Sequence, residues 1–376
     1  DIGVDSSTLF KNGVITVNTS LTYNSKSYSG VYSHPCPEDA DHHTYRRILL
    51  SVASMSTYLA AMKAKPMHLP WGAMTGIRPA RMVRQMLEDG LSDTIIIHTL
   101  KNMYGVSDKK IALCLQVAKK ELPIIQANSA EDIGLYIGIP FCPTRCLYCS
   151  FVSADMRYTA KFIEPYCKLL GDEIIRTSEI IGKTKRKVQS IYIGGGTPTS
   201  LSAAELEGLL STLTNSIDLT YLKEFCVEAG RPDTITEEKL CVLLKYGVDR
   251  ISINPQTMNK ITLDAIGRKH TPDDIKSAFK TARSVGFDNI NADIIAGLPS
   301  EDADMFKYTL DEILCLDPES VTVHTMCIKR GSKLSKSLDS LELSHADTVS
   351  KMLDIAQSKL PRSGLEPYYL YRQKNI

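Results

Sequence analysis

Between residues 135 and 325 a strand pattern gives way to a helix pattern six times in succession. The strand segments fall at 135–139, 188–193, 224–228, 250–254, 289–295 and 320–325, with helical stretches between them. Such alternation predicts parallel strands joined by helical crossovers. Six units rather than eight predict an α/β architecture: a partial (β/α)6 TIM-type barrel, open on one side. Two helix starts carry their own signals. Ser202-Ala-Ala-Glu205 has the form of a capping box, and Thr271-Pro272-Asp273-Asp274 puts proline and acids in a first turn.

The chain before this region reads differently. Residues 1–35 are rich in Thr, Ser, Val and Tyr and alternate weakly from Val14 to Tyr23, as a small antiparallel sheet does. Helical composition follows at 46–63, 79–88 and 107–121, the last with Ile111, Cys114, Leu115 and Ala118 on one face. The expected division is an α+β domain over 1–131, the barrel over 132–330, and a helical extension over 331–376 that leads into a segment beyond this chain. The run 183–187 reads as a solvated loop before a strand.

The chemistry concentrates at 134–151. Leu135, Ile137 and Ile139 share one strand face, and Pro140 ends the strand because it cannot donate to a ladder. Cys142, Cys146 and Cys149 follow at spacing Cys-x3-Cys-x2-Cys. A structural zinc site takes four such ligands. Three thiolates on one loop can hold three irons of a cubane cluster and leave the fourth iron open.

Bulk composition narrows the partners. A net charge of +1 over 376 residues leaves no electrostatic footprint for nucleic acid. No apolar run is long enough for a membrane span, and no signal peptide is apparent. Of ten cysteines, three cluster as ligands; Cys114, Cys226, Cys241, Cys315 and Cys327 lie in apolar patterns and read as buried free thiols in a reducing cytoplasm.

With Tyr148 in the aromatic position of Cys-x3-Cys-x-aromatic-Cys, the loop resembles that of the radical S-adenosylmethionine (SAM) family. The flanking run from Tyr136 to Cys142 is similar to the oxygen-independent coproporphyrinogen III dehydrogenase group, which includes HemN, HemW and HemZ. The run from Cys146 to Phe151, and Trp71-Gly-Ala-Met-Thr-Gly-Ile-Arg-Pro79, look most like the HemZ branch. The likeness covers Leu135 to about Met326. It implies a [4Fe–4S] cluster on Cys142, Cys146 and Cys149, with SAM on the open iron, an exposed low-potential centre suited to anaerobic conditions, and a 5′-deoxyadenosyl radical after reduction. Tyr136 and Tyr148 then flank the cofactors. Gly195, Gly196 and Thr197, in Gly194-Gly-Gly-Thr-Pro-Thr199, match the residues that hold the SAM amino group. Glu228 matches a polar SAM contact, Gln256 one near the ribose, Arg268 the partner of the SAM carboxylate, Asp293 the ribose-hydroxyl acceptor, and Gly297 a close approach to the adenosine. Asn254-Pro255 departs from the family's usual Gly-Val before that glutamine, which implies a different local turn.

By the same resemblance the substrate is a tetrapyrrole. The implied reaction is oxidative decarboxylation of coproporphyrinogen III propionates to vinyl groups, giving protoporphyrinogen IX for haem synthesis, with a small donor such as flavodoxin or ferredoxin. A HemW-like haem-binding trafficking protein is the alternative, as is another radical enzyme that modifies haem. Phe151 stands where HemN carries a fourth cysteine, a departure shared by the HemZ and HemW branches. His324 on the sixth strand is read as a core residue before a substrate contact. Trp71 with Arg78 and Arg81 could reach an anionic ligand; inter-domain packing is the commoner use of such a patch.

Overall fold

The computed structural model describes all residues except 1, 68, 77, 152, 330, 335–344 and 373–376. Two compact units emerge among the described residues: 2–127 with 367–372, and 128–366.

In the first unit, β1 (Ile2–Lys11), β2 (Val14–Tyr23) and β3 (Lys26–Pro35) form an antiparallel meander. The alternation in β2 buries Ile15 and Val17, which pack with Ile48 and Val52 of α1 (His42–Ala64). Three further helices, α2 (Pro79–Glu88), α3 (Asp93–Tyr104) and α4 (Asp108–Gln126), close on Val83, Ile96, Leu100, Ile111, Cys114 and Leu115. No periodicity in the sequence foreshadows α3. Its Ile95-Ile-Ile97 run is β-branched, a composition that favours strands. Ser92 as N-cap, Gly105 as a left-handed C-cap and burial of Ile96 and Leu100 decide for helix.

The second unit is the expected barrel. Its main strands are β4 (Asp132–Ile139), β7 (Lys187–Gly195), β8 (Glu224–Gly230), β9 (Arg250–Gln256), β10 (Ile290–Ala296) and β11 (Ser320–Thr325). They lie side by side in chain order, all parallel. Between β4 and β7 come two short strands, β5 (Phe141–Cys142) and β6 (Ala154–Asp155), then α5 (Met156–Thr159) and α6 (Ile163–Thr184). The remaining helices are α7 (Ala203–Ser216), α8 (Glu237–Lys245), α9 (Lys260–Ala265), α10 (Pro272–Val285), α11 (Ala303–Leu314) and α12 (Ala346–Arg362). Both expected first turns form: Ser202 with Glu205 and Thr271 with Asp274 make reciprocal capping boxes.

Period-two alternation sorts every strand. Ile137, Ile139, Ile191, Ile193, Phe225, Val227, Ile251, Ile253, Ile290 and Ile294 join one core with the helices. The intervening residues line the other face: Tyr136, Tyr192, Glu228, Ser252, Asn291, Asp293 and His324. A sheet with one apolar and one polar face can only cover the first with helices, so the second remains for a ligand.

Burial of the lone cysteines needs correcting. Cys114 and Cys226 are buried, and burial pushes each thiol up to about 12. Cys241 and Cys315 are exposed, and Cys327 is part-exposed. Cys241 sits in α8, where Leu240 and Leu243 take the buried positions, and Cys315 is the C-cap of α11. Among the described residues no helix is long and apolar enough to cross a membrane.

Candidate functional site

The cysteine loop leaves the sheet at β4 and is closed at its base. Phe141 pairs with Ala154, and Cys142 with Asp155, across β5 and β6. Three contacts then pin its interior. Arg231 is buried, donates from Nη1 to both the carbonyl and the hydroxyl of Thr144 (3.0 and 2.9 Å), and pairs with Asp233. Leu147 donates its N–H to Ile266 O (3.0 Å), and Arg268 Nη2 donates to Tyr148 OH (3.2 Å). Tyr148 packs on the cluster of Leu263, Ile266, Ile295 and Leu298. Sequence reasoning assigned Arg231 no part. Its signal was an Arg-Pro pair directly after the end of β8, the place where barrel strands deliver functional groups.

Cys142 and Cys146 are buried and Cys149 is part-exposed. Burial raises the Cys142 thiol above its ordinary value, and the Thr197 hydroxyl, 3.5 Å from its sulfur, opposes the shift. Among the described residues no three His, Cys, Asp or Glu side chains converge as ligands of one metal ion. A structural zinc takes four ligands, whereas a multi-iron cluster gives each of three thiolates its own iron.

The glycine turn after β7 lies against this loop. Gly195 has φ +109°, a region that side chains disfavour. Gly196 donates to Ile139 O (2.7 Å) and Thr197 to Phe141 O (2.8 Å). A Cβ on Gly196 would lie 2.6 Å from Phe141 O. The glycines therefore first serve the approach of the chain's own backbone.

At the end of β8, Tyr192 donates its hydroxyl to Glu228, and Tyr136 stacks on Tyr192 with ring centroids 6.0 Å apart. Burial pushes the Glu228 carboxyl up to about 7, against the Tyr192 hydrogen bond. On β10, Asn291 Nδ2 donates to Asp293 Oδ1 (2.7 Å), and His324 Nε2 stands 3.7 Å from Asp293 Oδ2. The Asp293 carboxylate raises the His324 pKa above its ordinary value. His324 is thus not the core residue expected: its side chain is 49% exposed beside Asp293.

Gln256 is buried with φ +68°, and a register shift opposite Ile294 marks the irregularity implied by Asn254-Pro255. Arg268 is buried, and its Nη1 donates to Asn254 O (2.7 Å). At Gly297 (φ +87°) the close approach belongs to α12: a Cβ there would lie 2.9 Å from Val349 Cγ2, and the Gly297 N–H points to Met352 Sδ. Asn254 Oδ1 and Arg268 Nε are among the buried side-chain polar atoms that keep no partner among the described residues. Buried groups of that kind are costly unless a ligand engages them.

The raised Glu228 carboxyl makes stability pH-dependent. Its folded pKa lies above the unfolded value of 4.5, so its contribution is full below that value and is lost as pH rises through about 7. The shift amounts to about 3 kcal/mol. Urea unfolding between pH 4.5 and 8 is expected to show that loss in the wild type and not in Glu228→Gln. Equal pH slopes in the two proteins would remove Glu228 as the cause.

Comparisons agree with this geometry. The profile of the Radical SAM superfamily matches residues 136–313. Over 309 residues the chain is 41% identical to the oxygen-independent coproporphyrinogen-III oxidase-like protein HemZ of Bacillus subtilis, covering 81% of this chain and 62% of HemZ. It is 33% identical over 236 residues to the heme chaperone HemW of the same bacterium, covering 62% and 61%. Among solved structures, coproporphyrinogen III oxidase (HemN) from Escherichia coli matches with TM-score 0.54 and 26% identity, over 62% of this chain and 53% of that one. Residues 136–313 are a radical SAM domain, and that family uses a [4Fe–4S] cluster and SAM. Within that family the chain is similar to HemZ, HemW and HemN. It spans about six tenths of the length of the HemZ and HemW relatives.

Proposed function

We propose that the chain is a radical SAM enzyme acting on a tetrapyrrole, with oxidative decarboxylation of coproporphyrinogen III propionates to vinyl groups as its reaction. The observation that carries this reading is the polar sheet face ending beside a three-cysteine loop, with Cys142 and Cys146 buried and Cys149 part-exposed. The residues present fit the cofactors: three thiols on one clamped loop, and the unpartnered Asn254 Oδ1 and Arg268 Nε.

Cys142, Cys146 and Cys149 hold the cluster. Gly195, Gly196 and Thr197 present backbone and hydroxyl groups to the SAM amino group. Arg268 takes the carboxylate with its remaining donor, and Glu228, Gln256 and Asp293 take the ribose side, with His324 orienting Asp293. Tyr136 and Tyr148 form apolar walls, and Gly297 keeps the end of β10 narrow where α12 crosses. When bound, the cluster and SAM supply one-electron reduction and hydrogen abstraction. The chain's part is to bind, orient and exclude water. The electron donor in this reading is a small carrier such as flavodoxin or ferredoxin.

Haem carriage is the second reading, favoured by the 33% identity to a heme chaperone. Anaerobic incubation with coproporphyrinogen III, SAM and reductant, followed by mass analysis, separates the two. Loss of two carboxyl groups with formation of 5′-deoxyadenosine is the expected result. Tight haem binding with the porphyrinogen unchanged in mass would assign the chain to carriage.

A further inference from the structure

The first unit contains a cleft of about 420 Å³ that takes no part in the chemistry above. That volume lies within the range of small-ligand sites, about 300–1,000 Å³. Arg78, Arg81 and Arg84 line one side, spaced by three residues along the start of α2 and so on one face of it. Tyr368, Tyr369 and Leu370 line the other, and Ile125 is also in the lining. This second wall is fixed in place. Leu370 packs on the core of the first unit, Arg372 Nη1 donates to Met74 O (2.5 Å), and the Arg372 guanidinium lies 5.7 Å from the Trp71 ring centroid.

The charges in the cleft are not balanced. Glu121 is the one acid lining it, and it is taken by Arg84 at 3.2 Å; Arg84 also faces Glu88 at 3.4 Å. Arg78 and Arg81 are exposed and have no ion-pair partner among the described residues. Arg78 gives the start of α2 no side-chain cap, so the positive end of the helix dipole adds to the same side. Two uncommitted guanidinium groups and two tyrosines lining one cleft suit a flat, apolar body that bears carboxylates. Arginine takes carboxylates bidentately, and tyrosine offers a broad apolar face with a polar tip. Bare phosphate would leave the aromatic wall unused.

We propose that this cleft is a second tetrapyrrole site, gripping the propionate edge of the macrocycle through Arg78 and Arg81 with its face against Tyr369. The choice of tetrapyrrole among carboxylate-bearing ligands rests on the function proposed above. The cleft and the strand-end residues belong to different units, so the two sites carry separate affinities. This gives the Trp71–Pro79 motif a role that the radical chemistry does not absorb: Trp71 anchors the far wall through Arg372, and Arg78 supplies the near one.

The test is a fluorescence titration of coproporphyrin III, and of its tetramethyl ester in mild detergent, with the reconstituted full chain and with Arg78→Glu/Arg81→Glu. For the tetracarboxylate the double variant is expected to bind about tenfold more weakly, a modest figure because the arginines are exposed. The ester is expected to bind both proteins alike, and 5′-deoxyadenosine formation from SAM is expected to be unchanged. Superimposable coproporphyrin isotherms would overturn the proposal, and so would equal loss of the ester. The functional reading fails separately. Decarboxylation of coproporphyrinogen with isotherms indifferent to the arginines sinks the cleft and keeps the enzyme. Arginine-dependent binding with no decarboxylation keeps the cleft and sinks the enzyme. A wild-type chain that binds no tetrapyrrole ends both.

Discussion

Replacing Cys142, Cys146 and Cys149 together by Ala is expected to reduce bound iron from about four per chain after anaerobic reconstitution to near zero, and to abolish 5′-deoxyadenosine formation. The loss should be chemical rather than structural. The loop is closed by the β5–β6 pairing and held by Arg231 on Thr144, Ile266 on Leu147 and Arg268 on Tyr148, none of which uses a cysteine side chain. Removing two buried sulfurs leaves small cavities and costs about 1–2 kcal/mol in the metal-free protein. Thermal unfolding of metal-free wild type and variant should therefore differ little, while iron content and turnover differ completely. Iron retained by the triple variant, or zinc taken up by the wild type in place of iron, would remove the cluster assignment.

What could be read in advance was what the chain specifies locally. The six strand–helix units were legible because each strand carries its own apolar face, such as Ile191 and Ile193 or Phe225 and Val227. The cysteine loop was legible because its spacing is contiguous. Even so, β7, β8 and β9 run on to Gly195, Gly230 and Gln256, past the segments read from pattern. Those last residues are glycine or hold positive φ, and pattern assigns such residues to loops.

Non-local choices stayed hidden. Nothing in the sequence near Arg231 says that its guanidinium reaches back 87 positions to Thr144. Residues 368–372 read as part of a helical extension, yet they pack with the first unit through Leu370 and Arg372. Cys241 and Cys315 misled because an apolar neighbourhood in sequence does not fix which side of a helix faces solvent. His324 misled in the other direction: alternation along β11 sends Val321 and Val323 to the core and His324 to the polar face beside Asp293. The structure also altered the meaning of residues it did not move. Gly196 matched a ligand-cradling position, but its immediate neighbours are the carbonyls of Phe141 and Ile139.

That difference sets up the second large effect. Gly196→Ala is expected to destabilise the fold by about 2–3 kcal/mol, the range for overpacking a closed site. The new Cβ would lie 2.6 Å from Phe141 O and 2.9 Å from Ile139 O, and both are backbone atoms that cannot rotate away. Relief must come by moving the 139–142 segment, which breaks the Gly196–Ile139 and Thr197–Phe141 hydrogen bonds and carries Cys142 away from Thr197. Iron content and SAM affinity should therefore fall along with stability. The matched control is Gly208→Ala in α7, where a Cβ meets nothing within 4 Å and the helix gains about 0.5–1 kcal/mol. Urea unfolding, iron analysis and SAM calorimetry on the two variants decide the matter. Opposite signs of stability change, with cofactor loss confined to Gly196→Ala, are the expected result. A Gly196→Ala protein as stable and as well loaded as the wild type would show that the two backbones do not press on this glycine.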